Sequence, residues 1–164
     1  MAKNDLLNFR ENVLADDGSA VRDIVASSGF FYDHEVAVAV ELVDERLEKG
    51  EKSGYFFLFA ERDGRVIGYC CYGPIACTEG SYDLYWIAVH DDCRGQGIGK
   101  VLMKKCEELI AARGGRGIWV ETSGQEKYQP TRDFYVHNQY HLEAVLTDFY
   151  GPGDDKFVFV KRVP

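Results

Sequence analysis

A chain of 164 residues, 46% apolar and 28% charged, is globular rather than disordered or fibrous, and residues 1–164 are expected to form a single domain. A formal net charge of −8 with no long basic stripe argues against nucleic acid and favours a cationic partner such as an amine. No apolar run approaches the roughly 20 residues of a membrane span, Met1 to Asn12 has no signal-peptide core, and five irregularly spaced cysteines read as reduced thiols, so a cytoplasmic protein is expected.

In chain order, Phe9 to Leu14 reads as a first strand. Asp16-Asp17-Gly18-Ser19 is a turn that caps a short helix with Ala20, Val21, Ile24 and Val25 on its apolar face. Ser28-Gly29 ends it, and the aromatic trio Phe30-Phe31-Tyr32 follows in a loop. Asp33 is expected to cap a second helix, with Val36, Val40, Val43 and Leu47 on one side and Lys49-Gly50 at its end. Tyr55 to Ala60 and Val66 to Tyr72 are strand-forming runs, and Asp63-Gly64 between them predicts a hairpin. Gly73-Pro74 is expected to interrupt the second of these strands with a bulge or bend.

Tyr82 to Val89 follows as a nearly all-apolar strand, the pattern of one buried on both faces. His90 to Cys93 is a polar link, and Arg94-Gly95-Gln96-Gly97-Ile98-Gly99 is a glycine-rich turn. A helix then carries Ile98, Val101, Leu102, Leu109 and Ile110 at helical spacing and stops at Gly114-Gly115. Gly117 to Thr122 reads as a buried strand, parallel to Tyr82–Val89 because a crossover helix separates them. Pro130 opens a helix that runs to His137. Leu142 to Phe149 and Lys156 to Lys161 form a last strand pair. The expected fold class is therefore α/β (α+β), with a mixed sheet and flanking helices.

Bare backbone at the head of a helix is an anion site suited to phosphate. The turn departs from G-x-x-x-x-G-K-[ST], with Arg94 at the first glycine position and Val101 at the hydroxyl position, and from G-x-G-x-x-G, with Lys100 at the last glycine. It fits R-x-x-G-x-G. Thr131-Arg132-Asp133-Phe134-Tyr135 supplies a second motif, similar to A-x-x-F-Y. On these two motifs and the order of elements, the chain resembles the GNAT superfamily of N-acetyltransferases from Phe9 onward.

The resemblance implies a GNAT fold, a mostly antiparallel sheet whose two central parallel strands splay apart around coenzyme A. It implies acetyl-CoA as cosubstrate, no metal, and a homodimer built through the last strands. It assigns the pyrophosphate to the backbone of Arg94, Gly95, Gln96, Gly97, Ile98 and Gly99, with Lys100 adjacent. The pantetheine arm falls to Ile87, Ala88 and Val89, and the Val89 N–H to the thioester carbonyl. The plainer reading of these glycines is an ordinary strand-to-helix turn. Tyr135 is implied as the leaving-group acid, its alternative being to pack beneath the cofactor. Tyr128 stands where the family commonly has Asn, and Gln139 where it has Gly.

Acetyl transfer to an amine needs a neutral nucleophile, and deprotonation at neutral pH costs about 4 kcal/mol. Asp83, five residues before Ala88, and Glu121, flanked by Val120 and Thr122, are the candidate bases. Their plainer readings are an exposed strand start and a salt bridge to a residue such as Arg116. Phe30, Phe31, Tyr32, Phe149 and Tyr150 are candidates for the acceptor pocket, in the loops that line it in the family. The acceptor is expected to be the amine of a small molecule. The Asp148–Asp155 loop, which resembles that of peptide N-terminal acetyltransferases, keeps a peptide α-amine open. A non-catalytic acyl-CoA-binding module is the remaining alternative.

Overall fold

A computed structural model describes residues 6–164. The elements run β1 (Asn8–Arg10), α1 (Asp17–Ser27), α2 (Asp33–Lys49), β2 (Phe56–Arg62), β3 (Arg65–Pro74), β4 (Ser81–Val89), α3 (Ile98–Ala112), β5 (Gly117–Ser123), α4 (Gln129–His137), β6 (His141–Gly151) and β7 (Asp154–Arg162). The strands form one seven-stranded sheet in the order β1-β2-β3-β4-β5-β7-β6. β4 and β5 are its parallel pair, in register at Ser81↔Gly117, Tyr82↔Ile118 and Asp83↔Trp119. Antiparallel ladders join β1 to β2, β2 to β3, β5 to β7 and β7 to β6. Among the described residues, no helix is long and apolar enough to cross a membrane. The chain divides into two compact units.

The first unit holds the residues up to Gly73 and Trp86–Cys106. Its core joins helical-spaced Val21, Ile24 and Val25 of α1 and Val36, Ala39 and Val43 of α2 to alternate strand residues Phe57, Phe59, Tyr69 and Cys71. The β2–β3 turn places Asp63 and Gly64 at φ +51° and +75°, the two left-handed residues of a tight hairpin. Arg10 ties β1 to its surroundings. It donates to both Asp17 carboxylate oxygens (2.8 and 2.9 Å) and to Glu61 (2.7 Å), and lies 4.7 Å over the Phe59 ring. Asp17 also accepts from the Leu14 amide at 2.7 Å, which fixes the entry to α1.

The second unit holds Pro74–Tyr85 and Glu107–Pro164. Ile118 and Val120 of β5 are buried with Tyr82, Leu84, Ile110, Tyr135, Tyr140 and Phe159. α3 stops at Gly114, φ +83°. Gly115 then packs so closely that a Cβ would lie 2.3 Å from Ile110 Cγ2.

Several local expectations shift. The first strand is only three residues, because the chain turns away once Arg10 has engaged Asp17 and Glu61. The N-cap of α2 is Tyr32 rather than Asp33, and the Glu35 carboxylate accepts from its amide at 2.8 Å. Pro74 ends β3 instead of breaking it, so its missing donor falls at the strand terminus. β6 and β7 extend to Gly151 and from Asp154, leaving a two-residue turn.

Candidate active site

In the first unit, β4 ends in the half-buried residues Ile87, Ala88 and Val89. The His90 amide donates to the Ile67 carbonyl of β3 at 2.8 Å. Successive strand amides point to opposite edges, so the Val89 N–H points to the edge away from β3. A 3-10 turn follows at Asp91–Cys93. Asp92 is its charge centre, with His90 Nδ1 at 2.7 Å, Arg65 at 3.2 Å and the Cys93 thiol at 3.0 Å. The thiol's hydrogen bond and Arg65 hold the Asp92 carboxyl down at about 2. These contacts account for His90 and Cys93. Among the described residues no cluster of metal-binding side chains is found.

The glycine turn is set by conformation. Gly95 and Gly97 have φ of +73° and +78°, and a Cβ on either would meet no atom within 4 Å. From Gly95 to Lys100 no amide donates to a protein acceptor among the described residues. The first helical bond is Val101 N to Gly97 O at 3.2 Å. Six consecutive amides are thus presented at the head of a 15-residue helix. Cations flank them: Arg62 donates to Gln96 Oε1 at 2.8 Å, Arg94 sits 3.6 Å from Asp91 and 5.9 Å above the Phe30 ring, and Lys100 is exposed. Free amides, a helix start and nearby positive charge fit a diphosphate. Gly68 lets this segment close on β3, since a Cβ there would meet Ala88 O and Leu102 Cδ1 at 3.1 Å. Of the aromatic candidates here, Phe31 packs edge-on against Trp86 at 5.2 Å beside the core, whereas Tyr32 is exposed and stacks on His34.

In the second unit, the register places Asp83 opposite Trp119, and the two-residue period of β5 places Glu121 on the same face. Glu121 does not pair with Arg116, which donates to the Glu79 carbonyl. Its partner is Lys156, at 2.7 Å. The Lys156 ammonium also lies 4.1 Å from the centre of the Phe149 ring. Burial raises the Asp83 pKa, and the charge of Glu121 raises it further against the opposing pull of Lys156. Tyr150, half exposed, is pushed up to about 12 by burial and then by Glu121, Asp154 and Tyr128. Tyr135 of α4 is buried, with its ring 5.7 Å from Phe159 and 6.0 Å from Tyr140. Burial drives its pKa far above the usual tyrosine value, so the hydroxyl stays protonated. Gln139, at the family's glycine position, takes φ +69° and so keeps a left-handed backbone there.

The sequence reading missed three residues that hold this region together. Lys156 clamps Glu121. Asp154 accepts from Ser123 Oγ and Gln125 Nε2. Arg132 is buried and donates to the carbonyls of Ser123 (2.7 Å) and Gln125 (2.9 Å) and to Gln129 Oε1 (2.8 Å). For Lys156 and Arg132 the signal was a cation inside an otherwise amphipathic element; Asp154 gave none. The β5–β7 register, which pairs Ser123 with Lys156, is what gives that signal its meaning.

Fold and turn together define an α/β protein whose helix after the central strand opens on a row of free backbone amides. Residues 20–139 match the acetyltransferase (GNAT) family, and the chain belongs to that family. GNAT acetyltransferases use acetyl-CoA as acyl donor. An N-acetyltransferase of Methanocaldococcus jannaschii is 32% identical over 111 residues, covering 66% of this chain and 67% of the relative. A GNAT-family acetyltransferase structure from Desulfovibrio desulfuricans matches with TM-score 0.95 and 46% identity, over 97% of this chain and 100% of that one. An aminoglycoside 6′-N-acetyltransferase complexed with coenzyme A shares the fold, with TM-score 0.74 at 17% identity over 97% of both chains.

Proposed function

We propose that the chain moves an acetyl group from acetyl-CoA to the primary amine of a small molecule, by direct attack in a ternary complex. The observation that carries this is the row of six unpartnered amides from Gly95 to Lys100. They bind the pyrophosphate with Arg94 and Lys100 as counter-charges. Ile87, Ala88 and Val89 hold the pantetheine arm by their backbone, and the Val89 N–H polarises the thioester carbonyl. Holding both reactants in place contributes roughly 7–11 kcal/mol, more than either proton relay supplies.

The ammonium of the acceptor loses a proton toward Asp83 or Glu121, directly or through water. The new N–C bond forms as the C–S bond breaks, and a proton is delivered to sulfur. By the family resemblance, Tyr135 is the acid that supplies this proton. By the same resemblance, Phe31, Tyr32 and Tyr150 are the candidates for acceptor contact. A second reading makes the acceptor a peptide α-amine. Phe149 and Tyr150, 54% and 49% exposed beside the Pro152-Gly153 turn, favour it. A second copy of the chain pairs through β6, the strand at one end of the sheet, which exposes Leu142, Val145 and Leu146.

The test follows free thiol release from acetyl-CoA over a panel of amines, alongside amide hydrogen exchange of Gly95–Gly99. Transfer to at least one amine and protection of those amides are expected. Tyr135→Phe should lower kcat by roughly 10²-fold with coenzyme A affinity unchanged. No release above background for any amine overturns the proposal.

A further inference from the structure

Lys156 is the least expected charge in the second unit. Its side chain is only 12% exposed, yet its ammonium is bound on two sides, by Glu121 Oε2 at 2.7 Å and by the Phe149 ring at 4.1 Å. A carboxylate and an aromatic face form the ordinary surroundings of a bound primary ammonium. Here the chain's own lysine fills that position. Glu121, 48% exposed, is held in one place by it. Asp83 is left without a cation of its own among the ion pairs of the described residues, and it feels both Glu121 and Lys156. Tyr150 also feels Glu121, together with Tyr128 and with Asp154, which Ser123 and Gln125 hold.

We infer that Lys156 is a positioning residue that sets the charge of the acceptor site. It cancels and fixes Glu121, so Asp83 remains to receive a single ammonium, and the site takes acceptors with one positive charge in preference to polycations. This rests on the reading of the chain as an amine acetyltransferase. The physical reason is simple. Two free carboxylates on one sheet face would reward a second ammonium on the acceptor, whereas a carboxylate already neutralised by a buried lysine offers it no net attraction.

The experiment uses the full chain loaded with coenzyme A and compares wild type, Lys156→Met and Lys156→Arg. Calorimetry measures the affinity of each for hexylamine and 1,6-diaminohexane, and KM for both is read where turnover occurs. Removing the ammonium should tighten the diamine about tenfold relative to the monoamine, while Lys156→Arg keeps the wild-type ratio. A lysine that merely braces β7 would lower melting temperature without moving that ratio. An unchanged ratio in protein that binds coenzyme A and transfers acetyl overturns the role of Lys156 alone. Failure of wild type and Lys156→Met to bind either amine overturns it too. Failure to bind coenzyme A at all overturns the acetyltransferase reading beneath it.

Discussion

Asp83, which we propose as a base, lowers stability at neutral pH. Unfolded, it loses its proton near its ordinary value of 3.8; folded, burial and Glu121 make it hold the proton to higher pH. Between those values the native state binds more protons than the unfolded chain, so stability falls as pH rises through that window and the deficit persists above it. Asp83→Asn removes the deficit. Thermal melts at about pH 7 should place the variant above wild type, the two should converge near pH 3, and acetyl transfer should drop. Tyr69 makes a second case. Its hydroxyl is fully buried in the first unit with no hydrogen-bond partner among the described residues. An orphaned buried polar group costs roughly 1–3 kcal/mol. Tyr69→Phe deletes only that oxygen, so urea unfolding should show a gain of about 1 kcal/mol rather than a loss.

Among the elements, α3 and the turn before it are where we propose coenzyme A binds, and glycine acts there through backbone conformation. Gly97 sits at φ +78° with room for a Cβ but not for an L-residue's preferred backbone. Gly97→Ala should therefore cost roughly 1–2 kcal/mol in chemical denaturation. By turning the amides it should also weaken coenzyme A binding about tenfold in calorimetry. Gly18 in α1 is the contrast. Its φ is not left-handed, and a Cβ would meet Val40 Cγ1 at an ordinary 3.6 Å. Gly18→Ala should stabilise by roughly 0.4–1 kcal/mol and leave binding alone. The same substitution has opposite signs because the two backbones differ.

For the whole molecule, the feature that asks for a partner is β6. It pairs on one edge only, with β7, and its residues from His141 to Tyr150 are all exposed. A long apolar edge strand left uncovered invites uncontrolled association. In the dimer we propose, a second copy offering the identical strand would satisfy its free backbone groups and cover Leu142, Val145 and Leu146. Sedimentation should show a dimer at micromolar concentration, and Val145→Lys with Leu146→Glu should yield a monomer. A wild-type chain that sediments as a monomer at those concentrations ends that proposal.

Much of the fold was legible in the chain because its signals are local. The period-3.6 faces of α1 and α2, the Asp63-Gly64 hairpin, the apolar run of β4 and the glycines before α3 each act within a few residues. The glycine turn before α3 was legible for the same reason: amides left free at a helix head follow from the residues that open the helix. The pairing of Glu121 was not. It stands 35 residues before Lys156 in the chain, and only the β5–β7 register brings the two charges within 2.7 Å. Nor could the sequence tell that Arg132, in a motif read for its tyrosine, is buried to hold two loop carbonyls. Sequence alone determined which segments are strands and helices and where backbone amides are left free at a helix head, because backbone geometry is decided by neighbours in the chain. Which charges meet was decided by strands far apart in sequence coming into register.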